Sequence, residues 1–151
     1  MIRRCLILDS ETDSLDHQTG RVLEIGAVLY SVQNLSTLAS FSMLLKGDSN
    51  AAEKINHIPV AALAEMKEID DPEAQRAPLA MLRSYADVVV CHNVEFDRPW
   101  FKADAWNSLP WVCTAFDFDW PAASREGAGL VHLALEHGIG VGTAHRALTD
   151  C

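Results

Sequence analysis

The sequence predicts an α/β protein whose five-stranded sheet is of mixed direction, and three observations predict it. Two short apolar runs, residues 5–8 and 88–90, break abruptly on the polar stretches Asp9-Ser10-Glu11 and His92-Asn93, as strands buried on both faces do where they reach a polar site. Segments 22–30 and 36–45 are rich in β-branched and apolar residues and are separated by Gln33-Asn34, which reads as a hairpin. Beyond Gly47-Asp48-Ser49-Asn50, helical and strand-like segments alternate, so antiparallel opening strands are followed by helix-connected parallel ones.

In order, residues 5–8 are the candidate central strand, and the two hairpin strands complete an opening of three. Residues 59–66 and 71–85 have helical spacing, with Asp70 or Asp71 before Pro72 as an N-cap and Pro72 in the first turn. Leu79 and Leu82, with Met81 beside them, face the core from the second of these helices. Residues 87–91 form another buried strand and residues 94–107 a helix. Residues 111–115 are strand-like, and 130–137 are helical up to the stop at Gly138. A last helix begins at about Ala144. There is no internal repeat, low-complexity tract or linker, so the expectation is one domain.

Composition bounds the function classes. With 151 residues, 49% of them hydrophobic and 22% charged, the chain has an ordinary globular composition. A domain of this length buries roughly 70% of the surface its unfolded chain exposes. The net charge of −9 has the wrong sign for gripping long nucleic acid through a broad basic surface. A small site remains compatible, because cations held by clustered carboxylates reverse the local charge where a phosphate sits. Cys5, Cys91, Cys113 and Cys151 have no zinc-binding spacing, and Cys5 and Cys91 lie in apolar runs as small core residues, which points to a reducing, cytoplasmic setting. The apolar run after Met1-Ile2-Arg3-Arg4 ends after four residues, unlike a signal peptide, and no stretch approaches the roughly 18 apolar residues of a membrane span.

Three segments carry chemistry. Asp9 and Glu11 are two apart at a strand end, so their side chains point to one side, roughly 6 to 7 Å apart along the backbone, where they can share metal ions. Taken alone, the pair reads equally as a surface turn. Asp97 follows the second buried strand where a helix begins, a position in which Asp is also common for dipole reasons. His145 and Asp150 are five apart, which on an ideal helix separates them by about 140°, so they converge only if His145 lies outside the helix. Gly138, Gly140 and Gly142 make the preceding segment loop-like.

Together, Asp9-Ser10-Glu11-Thr12, His92-Asn93-x-x-Phe96-Asp97 and His145-x-Ala147-x-x-Asp150 resemble, in order, the three motifs of the DEDDh exonucleases, the DnaQ-like group that includes polymerase proofreading subunits. Leu15, the run Glu24-Ile25-Gly26-Ala27-Val28 and Ile55-x-His57-Ile58 add supporting matches, and the resemblance spans residues 5–151.

That resemblance implies a ribonuclease H-like fold, a mixed five-stranded sheet with helices on both faces. It also implies two divalent cations, Mg²⁺ or Mn²⁺, around the terminal phosphodiester of a single-stranded DNA or RNA 3′ end. Asp9 bridges both metals, Glu11 and Asp150 complete one, Asp97 holds the other, and His145 is the general base in its neutral form. Thr12, Leu15, His57 and Asn93 lie near the terminal nucleotide, although His57 equally caps a helix or faces solvent. Phe96 and the tryptophans Trp100, Trp106, Trp111 and Trp120 are assigned to packing, and His17, His132 and His137 to no role.

Departures from the pattern are the chain ending one residue after Asp150, which leaves the last helix short of its C-terminal part, an extra charge at Asp13 that either aids metal binding or repels substrate, and Pro99 in a helical segment. The expected activity is release of nucleoside monophosphates, with DNA favoured. Rival expectations are RNA trimming with the same chemistry, and a catalytically weak accessory module that docks on a polymerase or nuclease.

Overall fold

Strand β1 (Arg4–Thr12) forms the centre of the molecule because its alternate residues Leu6, Leu8, Ser10 and Thr12 are buried on one face while Asp9 and Glu11 project from the other. The computed structural model describes residues 1–67, 72–101, 104–121, 129–142 and 144–151. Strands β2 (Val22–Ser31) and β3 (Ser36–Leu44) form the antiparallel hairpin, with β2 against β1. On the other side of β1 run the parallel strands β4 (Val88–Cys91) and β5 (Trp111–Cys113), giving the order β3-β2-β1-β4-β5. This is the mixed five-stranded sheet that the sequence predicts.

The helices are α1 (Glu53–Asn56), α2 (Val60–Glu65), α3 (Pro72–Tyr85), α4 (Val94–Asp97), α5 (Asp104–Asn107), α6 (Leu130–Glu136) and α7 (Ala147–Asp150). Leu79 and Leu82 of α3 pack on Leu6, Leu8, Ala27 and Leu29, whereas Met81 faces solvent. The opposite face receives α7. Gly26, which pairs with Asp9, lies so close beneath Ala147 that an added Cβ meets its carbonyl carbon at 2.2 Å. Helices therefore cover both faces. The tryptophans Trp106, Trp111 and Trp100 join the α3-side core beside Phe101 and Cys91, and Trp120 is half-buried with its indole N–H on the carbonyl of Thr114 at 2.6 Å. Cys91 is a core residue, but Cys5 is only half-buried.

Several local expectations change. The first strand is longer than its apolar run: hydrogen bonding continues through Asp9 and Glu11 to Thr12, so both acids lie within β1 rather than beyond it. The helix expected over residues 94–107 is interrupted. Pro99, which has no amide hydrogen, falls in a single 3₁₀ turn, Arg98–Trp100, that closes α4. Strand β5 ends early because the Asp117 carboxylate takes the Cys113 amide at 2.7 Å and the chain turns back. The last helix starts at Ala147, after His145, and α1 has no counterpart in the sequence reading. The N-cap expected at Asp70 or Asp71 lies outside the described residues. Among the described residues, no helix is long and apolar enough to cross a membrane.

Candidate active site

Asp9 and Glu11 stand on the face of β1 that α7 covers, opposite Gly26 and Glu24 of β2. Two carboxylates face each other across the Glu11–Glu24 pair, an arrangement that repels unless a cation intervenes. The Arg146 side chain supplies one, donating from Nη2 and Nε to the two Glu24 oxygens at 2.8 and 2.9 Å. Among the described residues, no lysine or arginine forms an ion pair with Asp9, Glu11, Asp97 or Asp150.

Asp97 reaches the same region from α4, which begins directly after β4 and so starts where the parallel strands end. It is 1% exposed, and its Oδ1 accepts both the Ser10 amide at 3.1 Å and the Ser10 hydroxyl at 2.7 Å. Asn93, in the left-handed conformation at φ 70°, turns the chain between strand and helix.

His145 is exposed and also left-handed, at φ 61°, and its amide donates to Asp150 Oδ2 at 3.0 Å. The histidine thus lies outside α7, the condition under which a five-residue spacing converges. Glu11, His145 and Asp150 offer ligand atoms all within 4.8 Å of one another.

These groups line one cavity of about 430 Å³, together with Thr12, Asp13, Leu15, Asn93 and Phe96. Of the residues expected from the sequence, Asp9, Glu11, Asp97, His145, Asp150, Thr12, Leu15 and Asn93 are all brought there. His57 is not. It is the left-handed cap ending α1, exposed and outside the lining, and its neighbours Ile55 and Asn56 take the wall instead. Asn56, 1% exposed, ties that wall to β1 by donating from Nδ2 to the Thr12 carbonyl at 3.3 Å. Phe96, assigned to packing from the sequence, is half-buried and lines the cavity. His92 also lines it, with Nδ1 3.0 Å from the Thr114 hydroxyl. The signal for Ile55 was present as an apolar residue one turn beyond Ala51 and Ala52, which line the same wall.

Burial and mutual repulsion raise the acids of this cavity. Burial pushes Asp9 up to about 8, and the charges of Asp97, Glu11, Asp150 and Glu24 add to the effect. Burial likewise raises Glu11 to about 7, with Asp150 and Glu24 contributing and Arg146 opposing. Asp97 rises to about 7 by burial, against the two hydrogen bonds from Ser10. Asp150 is shifted above the usual carboxylate range by burial, with the His145 amide opposing. Acids that resist ionisation side by side are ready to ionise onto a metal.

No sequence family model matches the chain, and no curated protein sequence matches it significantly. Solved structures do. Exonuclease I of E. coli, in complex with a dT13 oligonucleotide, is similar at a TM-score of 0.74 and 16% identity, over 98% of this chain and 38% of its own. Exonuclease X, in complex with 5′ overhanging duplex DNA, is similar at a TM-score of 0.65 and 26% identity, over 97% of this chain and 84% of its own. The nuclease domain of 3′hExo, a DEDDh family member bound to rAMP, gives a TM-score of 0.71 and 12% identity, over 99% of this chain and 86% of its own. The chain thus spans well under half of Exonuclease I but most of the other two. The chain shares the fold of these nucleases, among them a DEDDh family member, and carries in chain order the three motifs by which its sequence resembles that group.

Proposed function

We propose that this chain is a metal-dependent 3′-5′ exonuclease that releases nucleoside monophosphates from single-stranded 3′ ends, with DNA favoured over RNA. The observation that carries the reading is the meeting of Asp9, Glu11, Asp97, Asp150 and His145, drawn from three separate segments, in one cavity. A volume of about 430 Å³ suits a single nucleotide rather than a long duplex, which also fits the net charge of −9.

The donor set fits hard divalent cations: carboxylate oxygens that are buried or half-buried, mutually repelling and, among the described residues, in no ion pair with a lysine or arginine. Asp9, Glu11, Asp97 and Asp150 would hold two of them, Mg²⁺ or Mn²⁺. Bound there, the ions supply charge neutralisation and Lewis-acid stabilisation of the scissile phosphate.

The remaining work falls to the protein's own groups. An imidazole nitrogen of His145 takes the proton of the attacking water, and its exposure lets that proton pass to solvent. Leu15, 88% exposed at the rim, is positioned to wedge the terminal base, with Ile55 and Phe96 as the apolar walls beside it. Thr12 and Asn93 supply the polar contacts that orient the sugar and phosphate. Asp13, the extra acid, is half-buried in an ion pair with Arg21 at 3.0 Å, which favours a structural role over either effect on the reaction.

Preference for DNA is supported by the DNA bound to Exonucleases I and X. RNA trimming is the second reading, because 3′hExo holds rAMP. Incubation of matched single-stranded DNA and RNA with Mg²⁺, Mn²⁺ or a chelator tests both. Metal-dependent release of mononucleotides, faster from DNA, is the expected result. A folded protein that degrades neither polymer overturns the enzyme reading in favour of an accessory binding module. His145→Ala should lower turnover by about 10²–10⁴-fold, the span of general-base catalysis, with the fold intact. Unchanged turnover removes His145 from the reaction.

A further inference from the structure

Glu24 is 2% exposed near the start of β2, where a buried carboxylate needs several hydrogen bonds to be tolerated. It has four. Its Oε2 accepts Arg146 Nε at 2.9 Å and the Ala147 amide at 3.0 Å, and its Oε1 accepts Arg146 Nη2 at 2.8 Å and the Ser42 hydroxyl at 3.4 Å. Three of these bonds end on two consecutive residues, and those residues lie between His145 and Asp150 in the chain.

Helix α7 has no side-chain cap of its own; Arg146 occupies the N-cap position with an extended backbone at φ −132°, ψ 120°. Glu24 therefore performs, from another element, the capping that an Asp or Ser at the N-cap usually performs. Two residues along β2, Gly26 removes the side chain that would hold the helix off the sheet. Glu24 and Gly26 pair with Glu11 and Asp9, so the two β2 residues that back the first motif also dock the third.

We propose that Glu24 is a positioning residue: by clamping Arg146 and the Ala147 amide, it sets where His145 and Asp150 stand relative to Glu11. It touches neither substrate nor the reacting atoms. Its effect on turnover rests on the exonuclease reading above, while its effect on the local backbone does not.

The test uses Glu24→Gln and, because a buried substitution can prevent folding, the half-buried Arg146→Gln as a second variant, together with the double variant. Amide hydrogen exchange of residues 144–151 is read without metal, and Mn²⁺ binding is read by calorimetry. Each single variant is expected to speed exchange at the His145 and Ala147 amides while β1, β2 and β4 stay protected. Each is also expected to weaken Mn²⁺ binding by about 10–100-fold, the usual effect of losing a group that orients metal ligands. The double variant should be no worse than the singles, since both remove one clamp. If substrate is cleaved, kcat should fall with KM nearly unchanged.

Wild-type exchange at residues 144–151 in a folded variant overturns the proposal. So does exchange raised uniformly across the sheet, which would make Glu24 a general stabiliser. A wild-type protein that cleaves neither polymer yet shows the localised exchange response refutes the enzyme reading and leaves the clamp standing.

Discussion

The two halves of the candidate site are held in different ways. Asp9, Glu11 and Asp97 belong to the sheet: the first two sit in a strand paired on both sides, and the third is locked by two hydrogen bonds to Ser10 on that same strand. His145 and Asp150 flank or end a four-residue helix that is docked rather than built in, resting on Gly26 and the Glu24 carboxylate. Opening of the docked half should therefore cost much less than opening of the sheet. The sheet-borne acids are fixed in position, and the docked half decides whether His145, the proposed general base, is in place.

Removing a sheet-borne acid is the most severe way to break this comparison. Asp9→Asn should lower turnover by about 10²–10³-fold, the scale for losing one electrostatic group at a reaction centre. Metal-free stability should move the other way. With Asp9 raised to about 8 and Glu11 and Asp97 to about 7, the folded state binds more protons than the unfolded chain. Their contribution is complete below the unfolded values near 4 and is lost as pH rises to about 8. Thermal melts of the metal-free protein should therefore fall from about pH 4 to 8, and Asp9→Asn should flatten that fall. Mn²⁺ should flatten it too, by binding the ionised form. A melting temperature that rises across this range contradicts the reading.

Attacking the docked half should give a smaller and more local loss. Gly26→Ala places a Cβ 2.2 Å from the Ala147 carbonyl carbon, so α7 must lift. The expected cost is about 1–3 kcal/mol, as for other overpacked sites, or about 2–4 °C in Tm per kcal/mol. Hydrogen exchange should show the loss concentrated in α7, and turnover should drop while Asp97 and Ser10 remain protected. Uniform loss of protection would mean that the two halves are one cooperative unit.

The smallest effects are expected at the rim. His57→Ala should change stability by no more than about 0.5 kcal/mol and leave KM unaltered, whereas Ile55→Ser should raise KM by about 10-fold, the low end for an apolar pocket contact. Steady-state kinetics with an oligonucleotide separate the two residues, and the reverse ranking would return His57 to the site.

The sheet was legible because period-two burial and an abrupt apolar-to-polar switch leave marks in a single segment, whereas the five central residues were read only from three motifs taken together. Leu6 and Leu8 announce the strand, and Asp9 and Glu11 announce where it turns functional. The clamp was not legible. Glu24 and Arg146 are 122 positions apart, and a Glu in a strand gives no sign of whether it faces water or a buried amide. His57 and Ile55 were ambiguous for a related reason: α1 is a single turn, so one left-handed residue decides which side chain enters the cavity. Pro99 was noted, but only the folded chain shows that it divides a helix rather than opening one.

Asn93 and His145 share one further property, a left-handed backbone in residues other than glycine, at φ 70° and 61°. Such conformations cost on the order of 1 kcal/mol each and persist because their surroundings impose them. Glycine at position 145 would relax the backbone and abolish the imidazole. Variants of this protein selected for heat resistance alone should thus drift toward His145→Gly, becoming sturdier and inert in the same step. On the exonuclease reading, durability and reactivity compete at a single torsion angle.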